Sequence, residues 1–503
     1  MTETRDENTL SSPLYEKLTA YGEADYCGFH MPGHKRHMGD MVSPFRIDIT
    51  EIDGFDDLHH PKEQGILVQA QERAARLYKA EETHFLVNGS TAGVLSAISA
   101  CVHPGGELLL ARNSHRSAYH GAGLRGLKVW YLYPQILKSP GINGGILPSD
   151  VENALAEHRG IRAVFVTSPT YEGVCLDVRA VAEICHRRGV PLIVDQAHGA
   201  HFPFSGYFPE DALSAGADIV IQSVHKTLPA LTQTALLHIQ GRLADRERLR
   251  YYLSVYQTSS PSYVLMASID NCMEQLKKQG KELFAAYVER LERFRNSCGD
   301  LKKLGLVGKE CIGKAGIWDF DCSRLVISAP KGGISGYEIL KRLRLEYHIQ
   351  MEMAADSYVT GISGAADREE DFKRLGYALH QIEYSLEEES GRMQNPDEEE
   401  SAVQAALAAP SAMTLGRALE QEKEWLERKH CLGRISAAYL YLYPPGIPLA
   451  VPGEILTEGI CRKIEAGIRM GQELHGLDGD GRIAVLSEFP HKMCGNTSQN
   501  SDV

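Results

Sequence analysis

Three segments of the chain carry residue types that can do chemistry together. The first, LVNGSTAGVLSAI (86–98), runs from an apolar strand through Gly89, Ser90 and Thr91 into a helix. Free N–H groups at a helix start bind anions, and the two hydroxyls add further donors for a phosphate. The same residues also suit an ordinary helix N-cap. This segment alone therefore leaves phosphate binding and simple capping both open.

A carboxylate and an amine follow, each at the end of an apolar run. Asp195 ends LIVD and precedes Ala197, whereas Lys226 follows DIVIQSVH. A strand-end aspartate is often a cap, and most lysines are surface charges. Pyridoxal phosphate, however, needs donors for its phosphate, a carboxylate for its ring nitrogen and an amine for its aldehyde. The three segments together predict a pyridoxal phosphate site, in which Ala197 gives the ring a flat surface.

The elements that must position these residues lie between about residues 80 and 240. Seven apolar runs alternate there with helix-like segments: HFLVNG, ELLLARNS, KVWYLY, AVFVTSP, PLIVDQAH, DIVIQSVH and ALLHI. Near-continuous apolar strands separated by helices are typical of a mainly parallel sheet covered on both faces. Ligands bind beyond the carboxyl ends of such strands, which is where the polar residues of these runs collect.

Composition shifts and acidic or polar breaks divide the chain further. The predicted sections are an N-terminal segment (1–30), a large cofactor-binding domain (31–290), a small α/β domain (291–390), an acidic linker (391–402), a C-terminal α+β domain (403–490) and a disordered tail (491–503). Within the C-terminal domain, LGRALEQEKEWLERKH (415–430) has a helical pattern.

Composition excludes several classes of protein. The formal net charge of -13 over 503 residues argues against a general nucleic-acid binder and suits a cationic small substrate. No run of about 18 apolar residues predicts a membrane span, and the N-terminus lacks the features of a signal peptide. Eleven cysteines without a C-x-x-C pair favour reduced thiols in the cytoplasm over a disulfide framework.

The segment FHMPGHKRH (29–37) contains three closely spaced histidines, His30, His34 and His37. Their spacing would suit metal ligands on one helix face. Pro32 and Gly33 lie between them, however, and these residues interrupt a helix. We therefore predict no metal site.

Six motifs occur in order along the chain: NGSTAG, SHRSAYHG, DQAHGAHF, QSVHKT, QTSSPSY and YPPGIPLAVPGE. Together they resemble the Orn/Lys/Arg decarboxylases, pyridoxal phosphate enzymes of fold type I, over nearly the whole chain. The chain is most similar to the shorter bacterial members, which begin directly with a segment such as FHMPGHKR. The resemblance implies an aspartate-aminotransferase-like α/β fold with a mainly parallel seven-stranded sheet, and a homodimer or a multiple of dimers.

The resemblance also implies roles for individual residues. Lys226 forms the Schiff base with the cofactor, Asp195 pairs with the ring nitrogen, and His115 stacks on the ring. Lys226 and His225 are both candidate donors of the proton to Cα, and the residues leave that choice open. His198 is either a further catalytic candidate or a packed loop histidine. The remaining cofactor contacts are Gly89, Ser90, Thr91, Ser117, Ser223 and His225, with Thr258 or Ser259 reaching the phosphate of the neighbouring subunit.

The substrate implied by the resemblance is a basic amino acid, with arginine ranked first, lysine second and ornithine third, and its amine product enters polyamine metabolism. Glu352 and Asp356 lie four residues apart and offer acidic groups for the distal cation, although solvation explains them equally well. Two alternatives stay open. Transamination, which needs an arginine clamp such as Arg324, Arg342 or Arg344, or C–S lysis would use the same scaffold. A non-catalytic regulatory relative would retain no activity.

Overall fold

The computed structural model describes most of the chain. The described residues are 24–30, 33–35, 56–329, 333–389, 409–443, 447–469 and 473–487, with single positions between 44 and 55. The predicted linker at 391–402, the predicted tail at 491–503 and His37 lie outside them. None of the helices in these ranges is long and apolar enough to cross a membrane.

Up to residue 297 the chain alternates strands and helices. The strands are β1 (Cys27–Phe29), β2 (Glu82–Leu86), β3 (Glu107–Ala111), β4 (Lys128–Leu132), β5 (Ile136–Leu137), β6 (Ile142–Asn143), β7 (Ile161–Thr167), β8 (Val174–Cys175), β9 (Leu192–Asp195), β10 (Ile219–Gln222) and β11 (Ala235–Ile239). The helices are α1 (Ile66–Tyr78), α2 (Gly89–Cys101), α3 (Arg116–Leu124), α4 (Pro148–Glu157), α5 (Val178–Arg187), α6 (Val224–Thr227), α7 (Arg246–Tyr256) and α8 (Tyr263–Ser297).

The central sheet has seven strands in the order β2-β11-β10-β9-β7-β3-β4. These are the seven apolar runs of the sequence, so that prediction is confirmed. β10, β9, β7, β3 and β4 pair in parallel, whereas β11 is antiparallel to both β10 and β2. β2 therefore runs in the same direction as the parallel strands. The carboxyl ends of six strands consequently meet at one edge, where a ligand site is expected.

Both faces of this sheet are covered. Alternate residues of β3 enter different cores: Leu108 and Leu110 pack in one, and Leu109 and Ala111 in the other. This follows from the two-residue period of a strand, which sends successive side chains to opposite faces. Covering both faces explains why the strands are apolar almost without interruption.

The chain from residue 305 to 389 forms a smaller α/β unit. Its elements are β12 (Gly305–Leu306), β13 (Asp319–Phe320), β14 (Arg324–Ser328), α9 (Gly336–Tyr347), β15 (Ile349–Met351), β16 (Met353–Ala354), β17 (Tyr358–Ile362) and α10 (Glu369–Glu389). β12, β14, β17 and β16 form an antiparallel sheet in that order. β15 pairs in parallel with β1, so the N-terminal part of the chain adds a strand to this unit.

We call the described residues from 409 to 487 the C-terminal section. It contains α11 (Leu415–Leu419), β18 (Lys423–Leu426), β19 (Leu440–Tyr443), β20 (Pro448–Ala450), α12 (Glu458–Arg469), β21 (Glu473–His475) and β22 (Ile483–Leu486). The predicted helix over 415–430 is wrong beyond Leu419. The residues Lys423–Leu426 instead pair antiparallel with β22, whose four residues are buried. Pairing with a buried strand overrides the helical pattern of the sequence.

Candidate active site

Lys226 lies in the short helix α6, directly after β10 and at the carboxyl edge of the central sheet. Its Nζ is 2.8 Å from Nε2 of His198. Burial lowers the pKa of Lys226 to about 8, and the positive charge of Arg324 acts in the same direction, whereas Asp195 and Glu352 oppose the shift. A substantial fraction of this amine is therefore neutral near pH 8, as a nucleophilic lysine requires.

Asp195 ends β9, the strand beside β10. Its side chain is 5% exposed, and its Oδ1 accepts a hydrogen bond from the backbone N–H of Ala197 at 3.1 Å. Burial raises the pKa of Asp195, and Lys226 acts against that rise. A buried carboxylate in this position is stabilised by a cation placed beside it, because burial without a partner disfavours its charge.

The predicted phosphate residues lie at the start of α2. Gly89 begins this helix with a φ of 71°, a left-handed conformation that favours glycine. The Ser90 and Ser223 hydroxyl oxygens are 2.6 Å apart, and Ser223 itself is buried. The end of β10, which Ser223 follows, therefore lies close to the start of α2. Thr91, on the first turn of this helix, faces solvent.

Thr258 also reaches this helix start within the same chain. Its backbone N–H donates to Oδ1 of Asn88 at 3.3 Å, and its carbonyl oxygen lies 2.9 Å from Nε2 of His59. Both Thr258 and Ser259 are exposed. A role for either residue at the phosphate of a neighbouring subunit stays a prediction.

His115 precedes α3 and caps it. Its Nδ1 accepts a hydrogen bond from the backbone N–H of Ser117 at 3.3 Å and lies 2.9 Å from the Ser117 hydroxyl. His115 is partly accessible to solvent, yet the protein around it lowers the pKa of His115 to about 3, with a further contribution from the charge of Lys226. His115 is therefore a neutral ring near Lys226 at physiological pH.

His225 and His198 are also neutral. His225 Nδ1 lies 2.8 Å from the carbonyl oxygen of Thr234, and burial lowers the pKa of His225 to about 4. Burial also lowers the pKa of His198 well below its usual value, with Lys226 as the second cause. His198 Nε2 therefore accepts from the Lys226 ammonium. Its Nδ1 has no hydrogen-bond partner among the described residues.

Glu352, one of the two predicted substrate residues, belongs to the small unit and faces this cluster. Its Oε1 accepts a hydrogen bond from the Tyr171 hydroxyl at 2.5 Å, and the Tyr171 ring lies 4.8 Å from the ring of His198. Asp356 is placed differently. It is exposed, but the protein around it removes part of its water and raises its pKa, an effect that the charge of Lys463 opposes. Glu352 therefore acts on the charge of Lys226, whereas Asp356 acts on that of Lys463 in the C-terminal section.

Two residues at the site carry roles that the sequence did not suggest. Tyr171 lies in the turn that follows the carboxyl end of β7, so an argument from the polar residues beyond the strand ends would have found it. Arg324, considered only as a substrate clamp, is fully buried in β14 and donates from Nη2 to the carbonyl oxygen of His198 at 2.5 Å. Arg342 and Arg344 lie on α9, and Arg342 Nη1 donates to the Ser385 hydroxyl at 2.9 Å.

These residues fit pyridoxal phosphate. Two hydroxyls meet at the start of α2, a buried carboxylate ends β9, and an amine with a lowered pKa lies in the short helix directly after the neighbouring strand β10. These are the three groups that the cofactor needs. Among the described residues, by contrast, no group of three or more His, Cys, Asp or Glu side chains is arranged to hold a metal ion.

Comparison with known proteins assigns the chain to a family. The family model for the Orn/Lys/Arg decarboxylase major domain matches residues 12–325, and the model for the C-terminal domain of the same family matches 398–480. The chain belongs to the Orn/Lys/Arg decarboxylase family. It is accordingly a pyridoxal-phosphate-dependent decarboxylase, as the motifs predicted.

Two relatives of this decarboxylase match it over almost their full length. An arginine decarboxylase of Bacillus subtilis is 33% identical over 470 residues, which cover 91% of this chain and 94% of that protein. An arginine decarboxylase of Halalkalibacterium halodurans is 33% identical over 485 residues, covering 95% and 96%.

Solved structures show the same fold. The Escherichia coli constitutive lysine decarboxylase has a TM-score of 0.72 at 21% identity, covering 96% of this chain and 80% of that one. An alanine–glyoxylate aminotransferase from Nostoc has a TM-score of 0.51 at 18% identity, covering 63% and 86%. The decarboxylase thus shares its central fold with aminotransferases, and the predicted fold type I architecture is confirmed.

Proposed function

We propose that this enzyme decarboxylates L-arginine to agmatine in preference to L-lysine and L-ornithine, and that the amine enters polyamine metabolism. The two relatives compared above carry the name arginine decarboxylase. The observation that carries the proposal is the line of contacts from Lys226 through His198 and Tyr171 to Glu352. This line joins the amine to a carboxylate on the opposite side of the site.

The residues at the carboxyl edge hold the cofactor in this proposal. Ser90 and Ser223 bind the phosphate at the start of α2, Asp195 pairs with the ring nitrogen, and His115 lies against the ring. Pyridoxal phosphate, when bound, would supply an aldehyde for the substrate amine and a cationic ring that accepts the electron pair left on Cα when carbon dioxide departs. Asp195 keeps that ring cationic, because a buried carboxylate favours a positive charge beside it.

Glu352 recognises the distal cation of the substrate. It lies on the small unit, accepts a hydrogen bond from the Tyr171 hydroxyl, and carries a negative charge that acts on Lys226. A carboxylate with a fixed hydrogen-bond donor is suited to a planar guanidinium, since arginine donates in a rigid fork. Tyr171 orients the carboxylate toward the substrate.

Lys226 returns the proton to Cα. His225 was the other candidate, but its Nδ1 faces a carbonyl oxygen, which fixes the proton there and leaves Nε2 without one. A neutral His225 with a pKa of about 4 has no proton to give at Nε2, whereas Lys226, with a pKa of about 8, carries one on Nζ. Turnover in heavy water must place deuterium at Cα of the amine, and a product without it contradicts protonation of Cα by either residue.

Transamination, which requires an arginine side chain of the enzyme to hold the substrate carboxylate, has less support. Arg342 is hydrogen bonded to Ser385 on the outer helices, and Arg344 is exposed. Arg324 holds the His198 carbonyl. A decarboxylase needs no such clamp, because a carboxylate that is poorly paired departs more readily.

The enzyme acts in the cytoplasm as a homodimer or a multiple of dimers, and the resemblance of YQTSSPSY (256–263) to a segment that serves the partner's cofactor supports this proposal. Size-exclusion chromatography with light scattering tests the oligomeric state. A stable and fully active monomer contradicts it.

Substrate identity is tested by incubating the holoenzyme separately with L-arginine, L-lysine and L-ornithine and identifying each amine by mass spectrometry. Agmatine is expected as the dominant product at equal substrate concentrations. Lys226→Ala is the matched control and should form no amine while remaining folded. Dominant cadaverine or putrescine overturns the ranking, and the absence of every amine overturns the proposed substrate class.

A further inference from the structure

Arg112 connects the central sheet to the helix that His115 caps. It follows β3, three residues before His115, and its side chain is fully buried. Its Nη1 donates to the Tyr119 hydroxyl on α3 at 2.8 Å, and that hydroxyl donates to the Arg112 carbonyl oxygen at 2.6 Å. The guanidinium carbon also lies 5.1 Å from the centre of the Tyr131 ring. Arg112 therefore fixes α3 against the end of β3.

The negative charge that faces Arg112 comes from the C-terminal section. Glu454 is 1% exposed, and its Oε2 accepts from Arg112 Nη2 at 3.1 Å and from the Val451 N–H at 2.9 Å. The Leu449 carbonyl oxygen accepts from the same Arg112 nitrogen at 3.3 Å. A buried pair of this kind is confined to one geometry, because separating its members leaves an uncompensated charge without water.

The same section also contacts α3 further along. A Cβ added to Gly123 would lie 2.4 Å from Cδ2 of Leu415, and one added to Gly416 would lie 2.6 Å from the Gly123 carbonyl oxygen. These glycines let α11 and α3 approach closely. Arg116, in the first turn of α3, donates from Nη1 to the Tyr441 hydroxyl at 2.9 Å. The C-terminal section thus contacts α3 at its start and at its end.

We propose that the C-terminal section positions the His115 ring, and that Glu454 is the positioning residue, acting through Arg112. This rests on the proposed function, which gives His115 its place against the cofactor. The ring follows α3 because His115 accepts a hydrogen bond from the Ser117 N–H of that helix. Glu454 itself touches neither Lys226 nor the phosphate residues in the described contacts, so its influence on the reaction passes through Arg112 and α3.

A pair that only stabilises the fold would behave differently. Removing it would lower the melting temperature and leave the rate per folded holoenzyme unchanged. A positioning pair would change the orientation of the ring against which the cofactor lies, and small misplacements of that kind lower kcat strongly. Visible circular dichroism of the bound cofactor reports this orientation independently of activity.

The first experiment compares Glu454→Gln with Glu424→Gln as holoenzymes. Glu424 pairs with Arg434 at 2.6 Å within the C-terminal section and is a matched control for loss of a local ion pair. Glu454→Gln should lower kcat about 10- to 100-fold with little change in KM and alter the visible circular dichroism. Glu424→Gln should match the parent in kcat and spectrum. A Glu454→Gln holoenzyme with parental kcat and spectrum overturns the proposal.

A double-mutant cycle with His115→Asn then locates the effect. If Glu454 acts through His115, adding Glu454→Gln to His115→Asn lowers kcat no further. If the two substitutions together lower kcat by the product of their separate effects, the positioning proposal is overturned while the proposed function stands. A His115→Asn enzyme with parental kcat and spectrum overturns the role of His115 in the proposed function, and this proposal with it. Should Glu454→Gln fail to fold, Tyr119→Phe cuts the link from Arg112 to α3 and must lower kcat in the same way; parental kcat contradicts the proposal.

Discussion

Two carboxylates, Asp195 and Glu352, act on the charge of Lys226, and they are held in different ways. Asp195 ends a strand of the central sheet, is 5% exposed and is held by a backbone N–H. Glu352 lies on the smaller unit, is half-buried and is held by the hydroxyl of a side chain, Tyr171. A main-chain donor beside the end of a sheet strand holds a carboxylate in one position, whereas a side-chain donor lets it turn.

This difference corresponds to two kinds of ligand. A cofactor that stays bound through many turnovers is best met by a group whose position does not change. A substrate that enters and leaves is met by a group that can reorient, on a part of the chain outside the central sheet. The contrast supports the proposed roles of Asp195 toward the cofactor and Glu352 toward the substrate, and each proposed role predicts a different kinetic consequence of losing the charge.

The largest effect is expected for Asp195→Asn. The amide removes the charge that pairs with the ring nitrogen, and loss of one partner from a buried pair costs about 3–5 kcal/mol. We expect kcat to fall by about 100- to 1,000-fold or more, because 1.36 kcal/mol is tenfold in rate. Steady-state kinetics with saturating cofactor measures this. A fall in kcat of less than tenfold would place Asp195 outside the cofactor contacts.

Glu352→Gln should act on KM instead. A hydrogen bond to a charged group contributes about 1.5–3 kcal/mol, so its loss should raise KM for the basic amino acid about 10- to 100-fold with a smaller change in kcat. Asp356→Asn is the matched control, since it lies four residues away and faces Lys463. Equal KM changes in the two variants would contradict the comparison drawn here.

A smaller effect is expected on the pH dependence of cofactor uptake. The neutral amine of Lys226 is the reactive form, so uptake by the apoenzyme should rise with pH through about 8. Asp195 and Glu352 both raise the pKa of Lys226, and either amide variant should therefore move this midpoint to lower pH. Stopped-flow absorbance follows the uptake. A midpoint near 10.5 in the parent enzyme would show that Lys226 is not buried in solution.

The smallest effect concerns stability without cofactor. Burial raises the folded-state pKa of Asp195 above its unfolded value, so the native apoenzyme binds more protons than the unfolded chain, and stability falls as pH rises between the two values. Asp195→Asn should therefore melt at a higher temperature than the parent apoenzyme at pH 8. The gain should disappear at pH 3, where Asp195 is protonated in both states. Glu352→Gln serves as the half-buried control in the same calorimetric scans.

The central fold followed directly from the sequence because each of its seven strands carries a local signal. Buried parallel strands are apolar along their length, and the polar residues that end them share one edge. The residues 423–426 carry no such signal. Glu424 and Trp425 fit a helix as well as an edge strand, and only pairing with β22, nearly 60 positions later, decides between the two. Secondary structure that depends on pairing with a distant strand cannot be predicted from a local sequence pattern.

The residues of the site likewise fall into two groups, those that the strand pattern predicts and those that distant packing places. Lys226, Asp195, Ser90 and Ser223 come together because β2, β9 and β10 run in the same direction and end at the same edge of the central sheet. The spacing of Glu352 and Asp356 suggested a shared direction, but Glu352 lies between two short strands and Asp356 in the turn that follows. The i, i+4 rule holds only on a helix. Glu454 was not predicted, because its partner Arg112 is brought to it by the packing of two sections.

The N-terminal part of the chain is tied to the small unit by Lys35. Its Nζ donates to the carbonyl oxygens of Gly28, His30 and Ile362 at 3.0, 2.9 and 2.7 Å. Burial lowers the pKa of Lys35, and the carboxylate of Asp367, 3.7 Å away, opposes that shift.

Gly33 continues this segment to the helix of Lys226. Its N–H donates to the carbonyl oxygen of His225 at 2.6 Å, and a Cβ at this position would lie 2.8 Å from the Leu228 nitrogen. Lys35 and Gly33 therefore connect the small unit to the helix of Lys226 through main-chain hydrogen bonds. Any shift of the small unit relative to the central sheet would act on the main chain one residue before the reactive amine, so the backbone itself would carry it to Lys226.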